Sequence, residues 1–139
     1  MVFEVRTARR IHGPALKAIR KARRLDQHQL ADQAGIHNSH ISRLERGLRR
    51  AAPDILAAVA TALDVDEHLL TGQVPVIRWL RETAGITERD FAATLDISVN
   101  RLRRIESGAD QPDSREIEAM CRRLAVSPAA LTVADVEAA

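Results

Sequence analysis

The chain has 139 residues, 45% hydrophobic and 29% charged, the balance of a soluble folded protein rather than of a disordered one. No run approaches the roughly 18 apolar residues of a membrane span, and the opening MVFEVRTARR lacks the apolar core of a signal peptide, so a cytoplasmic protein is expected. The single cysteine, Cys121, excludes an internal disulfide, and the net charge of +2 is uneven: residues 1–72 carry +4 and residues 73–139 carry −2.

In chain order, residues 1–13 hold Arg6, Arg9, Arg10 and His12 without a clear period and read as a basic arm ending at Gly13-Pro14. A helix is predicted over 14–24, with Leu16 and Ile19 inward and Lys17, Lys21 and Arg24 outward. Asp26 followed by Gln29 resembles a capping box and starts a short helix near Gln27 that stops at Gly35. A third helix covers about 38–46, Pro53 opens a fourth over 54–63, and Asp66 caps a brief fifth ending near Thr71. After the joint Gly72-Gln73-Val74-Pro75, helices are predicted over 76–83, 88–95, 99–107, 114–124 and 128–131, with Thr87, Ser98 and Ser127 at N-caps. Apart from a faint hint at Val2–Val5 nothing alternates as a strand would, and the reading is all-α.

The second set of helices repeats the first. Gln27 to Leu44 reads QHQLADQAGIHNSHISRL and Glu88 to Ile105 reads ERDFAATLDISVNRLRRI, offset by 61 positions without a gap. The same offset pairs Arg20 with Arg81, Glu45 with Glu106, Gly47 with Gly108 and Leu63 with Leu124. Two units follow, 14–72 and 73–139, each of a size at which one core is only marginally sufficient. Within each, two short helices meet at a tight turn. Leu30, Ala34, Ile36, Ile41 and Leu44 supply the buried contacts of the first pair, Ala31 is small at the crossing, and Gly35 suits a left-handed turn. Phe91, Ala92, Leu95, Ile97, Leu102 and Ile105 match them, and Asp96 replaces the glycine at tolerable cost because Asp visits the left-handed region more readily than most residues.

On these tracts, LADQAGIHNSHISRLERG and FAATLDISVNRLRRIESG, the chain resembles the lambda-repressor-like (Cro/XRE) helix-turn-helix family. The resemblance covers about 14–72 and 75–132 and implies two tandem five-helix domains. It implies a third helix that enters the major groove of duplex DNA and reads base edges with its first turn. It further implies that Arg20 pairs with Glu45 and Arg81 with Glu106 to brace the fold, and that Gln27 holds a phosphate and orients a neighbour. Asn38, Ser39, Ser42 and Arg43 then face the bases, with Arg46, Arg49 and Arg50 on the backbone. Asn suits adenine and Arg guanine.

In the second unit Asn100, Arg101 and Arg104 stand as the corresponding DNA-contact residues, and Arg103 adds to a strongly basic third helix. Glu88, however, takes the place of Gln27, and Glu82, Asp90 and Asp96 add negative charge nearby. Whether this unit reads DNA or dimerises stays open on sequence alone. Of the 21 basic residues 19 are arginine, and aromatic content is 2%, from Phe3, Trp79 and Phe91, which favours double-stranded over single-stranded nucleic acid.

His28, His37 and His40 invite a metal reading that no cysteine or carboxylate completes, and no catalytic set or phosphate loop has credible spacing, so neither a cofactor nor enzyme activity is expected. Cys121 matches Ala60 as a small core residue, and Trp79, matching Ala18, covers either the joint or a dimer interface. The expectation is a homodimeric, sequence-specific transcriptional repressor. The alternative is an antitoxin or adaptor whose acidic second unit binds a protein partner.

Overall fold

The computed structural model describes residues 9–47 and 50–131. Ten helices follow in chain order among the described residues. The first five are α1 Gly13–Ala22, α2 Gln27–Ala34, α3 Asn38–Glu45, α4 Pro53–Leu63 and α5 Glu67–Thr71. The second five are α6 Ile77–Thr83, α7 Glu88–Leu95, α8 Val99–Glu106, α9 Ser114–Leu124 and α10 Pro128–Leu131. None is long and apolar enough to cross a membrane.

Local chemistry sets the boundaries. Asp26 accepts from the Gln29 backbone N–H at 2.7 Å while the Gln29 side chain accepts from the Asp26 N–H at 2.9 Å, the reciprocal box anticipated at the start of α2. Asp66, Thr87 and Ser98 cap α5, α7 and α8. A second capping box, Asp113 with Glu116, opens α9. α1 is shorter than predicted at its C-terminal end because Arg24 turns into the left-handed region, φ 59°.

The arm needs correcting. Arg9–Arg10 (β1) pairs antiparallel with Arg50–Ala51 (β2), Arg9 opposite Ala51 and Arg10 opposite Arg50. This two-residue ladder seats Ile11 and Ala51 in the core, 1% and 0% exposed. The His12 N–H then donates to the Leu70 carbonyl at 2.8 Å. Residues 9–13 are therefore part of the first folded unit. One apolar residue among arginines carries no periodicity, and the pairing spans some forty residues, so nothing local announced it. The hint at Val2–Val5 lies outside the described residues.

Leu16, Ile19, Leu30, Ile41, Leu44, Leu56, Leu63 and Leu70 fill the first core, and Ile77, Leu80, Phe91, Leu95, Leu102, Ile105 and Met120 the second. Each such side chain contributes roughly 1.5–3 kcal/mol on burial. The two units also pack on each other, chiefly α10 and α6 against α1. Ala18, Leu80, Ala130 and Leu131 are buried there, and His12 Nε2 donates to the Ala129 carbonyl at 2.8 Å. Trp79 lies at this joint: the Arg23 guanidinium sits over its ring, 4.9 Å from the centroid. Cys121 is half-buried beside this second core, and burial pushes its thiol up.

Candidate nucleic-acid interface

A helix-turn-helix presents one helix by fixing the turn behind it. Between α2 and α3, Gly35 adopts φ 70°, ψ 30°, and the Ile36 N–H returns to the Ala31 carbonyl at 3.0 Å. Asp96 adopts nearly the same turn, φ 55°, ψ 47°, with Ile97 bonded back to Ala92 at 3.0 Å. Ala31 and Ala92, 1% and 2% exposed, sit where the helices cross. In α3 the inward stripe is Ile41 and Leu44, both 0% exposed, which leaves Asn38, Ser39 and Arg43 exposed on the outer side and Ser42 half-buried.

His37 caps α3: its Nδ1 accepts from the Ser39 N–H at 3.2 Å and from the Ser39 hydroxyl at 2.8 Å. Nothing in the sequence marks this histidine as a cap, because His is not among the side chains that ordinarily signal one. His28 lies 3.5 Å from Asp32 on the exposed side of α2.

Behind α3 a buried fork fixes its C-terminal end. Arg20 Nη2 donates to Glu45 Oε1 at 3.0 Å, its Nε donates to Oε2, and its Nη1 donates to the Leu25 carbonyl at 2.8 Å. The pair is nearly inaccessible, so it joins α1 to α3 rather than facing a ligand. Gln27, at the first turn of α2, donates from Nε2 to Glu45 Oε1 at 3.1 Å, which ties its amide to the same fork. Among the described residues the Arg43 guanidinium forms no hydrogen bond or ion pair, and Arg46 reaches only the Ser42 carbonyl at 3.4 Å. Arg50 is exposed in β2, and Arg49 lies outside the described residues.

The second unit has the same brace: Arg81 Nε to Glu106 Oε2 at 2.7 Å, Nη2 to Oε1 at 3.2 Å and Nη1 to the Ile86 carbonyl at 2.9 Å. Hydrogen bonding to Glu106 holds the Arg81 guanidinium more firmly protonated than usual. Its outer face differs. Asn100 is exposed, but Arg101 donates to Glu116 at 2.9 and 3.3 Å, to Asp110 at 3.2 Å and to the Gln111 carbonyl at 3.2 Å. Arg104 forks onto Asp110 at 2.7 and 3.2 Å, and Arg103 donates to Glu88 at 2.7 Å. These bonds hold all three carboxyls below the usual carboxylate range: Glu116 through Arg101, Asp110 through Arg104, Glu88 through Arg103. No local sequence signal picks out Asp110 and Glu116 as partners of Arg101. Their positions sit nine and fifteen residues after Arg101, and only the fold brings them together.

Two helix-turn-helix units, each with an exposed third helix braced from behind, define the class: a DNA-binding regulator of transcription. A helix-turn-helix family model matches residues 16–70 and a helix-turn-helix domain model matches residues 76–134. An uncharacterised helix-turn-helix-type transcriptional regulator of Mycobacterium tuberculosis is 30% identical over 95 residues, 61% of this chain and 67% of that protein. The immunity repressor protein of Bacillus phage phi105 is 36% identical over 85 residues, 60% of this chain and 59% of the repressor. A further uncharacterised regulator of this type, from Sinorhizobium fredii, is 32% identical over 90 residues, 64% and 46% of the two chains. The chain belongs to the lambda-repressor-like helix-turn-helix family and carries its domain twice.

Proposed function

We propose that the protein represses transcription in the cytoplasm by binding an operator in duplex DNA, with α3 in the major groove. The observation that carries this reading is the outer face of α3, where Asn38, Ser39 and Arg43 are exposed together and the Arg43 charge is not consumed by any described residue. A forked Arg–guanine contact and a forked Asn–adenine contact each discriminate by about 1–3 kcal/mol, and both side-chain types are offered here within two turns of helix. Gln27 and Arg46 flank that face and are assigned to the phosphates, together with Arg50 of β2; Arg49 is assigned to them from the sequence alone. Repression rather than activation draws support from the likeness to a phage immunity repressor. A homodimer would place two copies of α3 on successive groove faces, about 34 Å apart.

Selection of bound sites from random duplexes at fixed salt tests the reading. A defined motif should emerge, and Arg43→Ala should weaken its binding by about 10- to 100-fold while relaxing preference at one position. A protein that binds no duplex at low ionic strength refutes the proposal.

A further inference from the structure

We infer that α8 is a charge-sealed copy of a reading helix and that sequence readout is confined to α3. This rests on the reading of the first unit given above, and extends it by assigning the second unit no share of the DNA contact. The 61-residue offset allows position-by-position comparison. Asn38 becomes Val99, which is half-buried; Gln27 becomes Glu88; Arg49 becomes Asp110; Arg50 becomes Gln111; and Ile55 becomes Glu116. Four of these five changes remove a group suited to bases or phosphate, and three of the five install a carboxylate.

Those three carboxylates are the partners of the three arginines of α8. Arg101 is the most committed: Glu116 is 2% exposed, and Arg101 is the only cation bonded to it among the described residues, so withdrawing Arg101 toward a phosphate would strand a buried charge. Arg103 and Arg104 are more exposed, and exposed ion pairs open easily. Opening them gains little, however, because a phosphate that takes Arg104 then faces an Asp110 held by Arg101 alone, at 3.2 Å, and one that takes Arg103 faces a bare Glu88. The summed formal charge of Glu88, Arg101, Arg103, Arg104, Asp110 and Glu116 is zero, so few counterions would be released from DNA on contact. On α3, by contrast, Arg43 has no such acidic neighbour bonded to it among the described residues.

The test uses the full chain and the duplex selected by the wild-type protein, with affinity measured across a salt series. Asn100→Ala combined with Arg104→Ala should leave affinity within about twofold and the salt dependence unchanged, whereas Arg43→Ala weakens binding strongly. Arg101 is left intact so that loss of folding does not cloud the result. The converse variant, Glu88→Gln with Asp110→Arg, restores the residue types of the first unit. It should tighten binding to random-sequence duplex several-fold and steepen the logarithmic salt slope by about one to two. A tenfold loss in the Asn100/Arg104 variant, with circular dichroism and oligomeric state unaltered, overturns the inference while leaving α3 as a reader. An unchanged salt slope in the converse variant also overturns it, since the carboxylates would then not be what silences α8. If neither wild type nor variants bind duplex, the DNA reading itself falls.

Discussion

Gly13 is where a single side chain matters most to the geometry of the first unit. A Cβ built there would lie 2.2 Å from the Glu45 carbonyl oxygen and 2.8 Å from that of Leu44. The start of α1 thus rests directly on the end of α3, the end that the Arg20–Glu45 fork also holds. Backbone atoms cannot swing aside as a flexible side chain can, so Gly13→Ala should cost about 1–3 kcal/mol of stability in denaturant titration. A cost below a few tenths would show that this close approach does not matter. The opposite case is Ala125, a residue with a Cβ at φ 57°, ψ 47° after α9. The left-handed region costs an alanine roughly 1–2 kcal/mol, partly offset in a glycine variant by a more flexible unfolded chain. Ala125→Gly should therefore raise stability by about 0.5–1 kcal/mol, read as a higher denaturant midpoint with an unchanged slope.

At the level of elements, the helices were legible because many of their starts and stops are written in adjacent residues. Asp26 with Gln29, Thr87, Ser98 and Gly35 lie within three positions of the backbone groups they serve. What was not legible joins distant segments: the β1–β2 ladder, the contact of Gly13 with α3, and the lattice that ties α8 to Asp110 and Glu116. Arg101 looked like a base reader from its place on the helix, and nothing in its neighbours revealed that a carboxylate fifteen residues on would claim it. That lattice has a pH signature. Glu88, Asp110 and Glu116 titrate below their ordinary range when folded, because arginines donate to them. Their contribution to stability is complete above the unfolded carboxylate range and is lost as pH falls through the depressed folded values. Amide protection factors in α8 and α9, taken relative to the intrinsic exchange rate at each pH, should fall on acidification more than those in α2 and α3. Glu116→Gln should flatten that difference, and an equal response in both units would refute it.

The whole molecule is held together at one joint, and Arg23 is its hub. Its Nε donates to the Leu63 carbonyl at 2.8 Å and its Nη2 to the Asp64 carbonyl at 3.2 Å, which satisfies the end of α4, while its plane covers Trp79 of the second unit. The repeat itself marked this place, since Trp79 answers to Ala18 and is a feature only one copy has. Which surface it covers depended on how the units meet, and that is written in no local pattern. Units of about sixty residues bury too little surface to be robust alone, so the apolar contact of Ala18, Leu80, Ala130 and Leu131 should couple their unfolding. Trp79 is the sole tryptophan, and its fluorescence therefore reports the joint without ambiguity. In urea, the fluorescence transition and the helical signal from circular dichroism should coincide for the wild-type chain. Arg23→Ala removes the guanidinium from the ring and two hydrogen bonds from the end of α4, so it should move the fluorescence change to lower urea and separate the two curves. Separate transitions already in the wild type would mean that each unit folds alone and that the joint is mere contact. Coincident ones would mean that the charge-sealed second unit supports the reading unit through this joint, which gives the duplicated domain a role that needs no second contact with DNA.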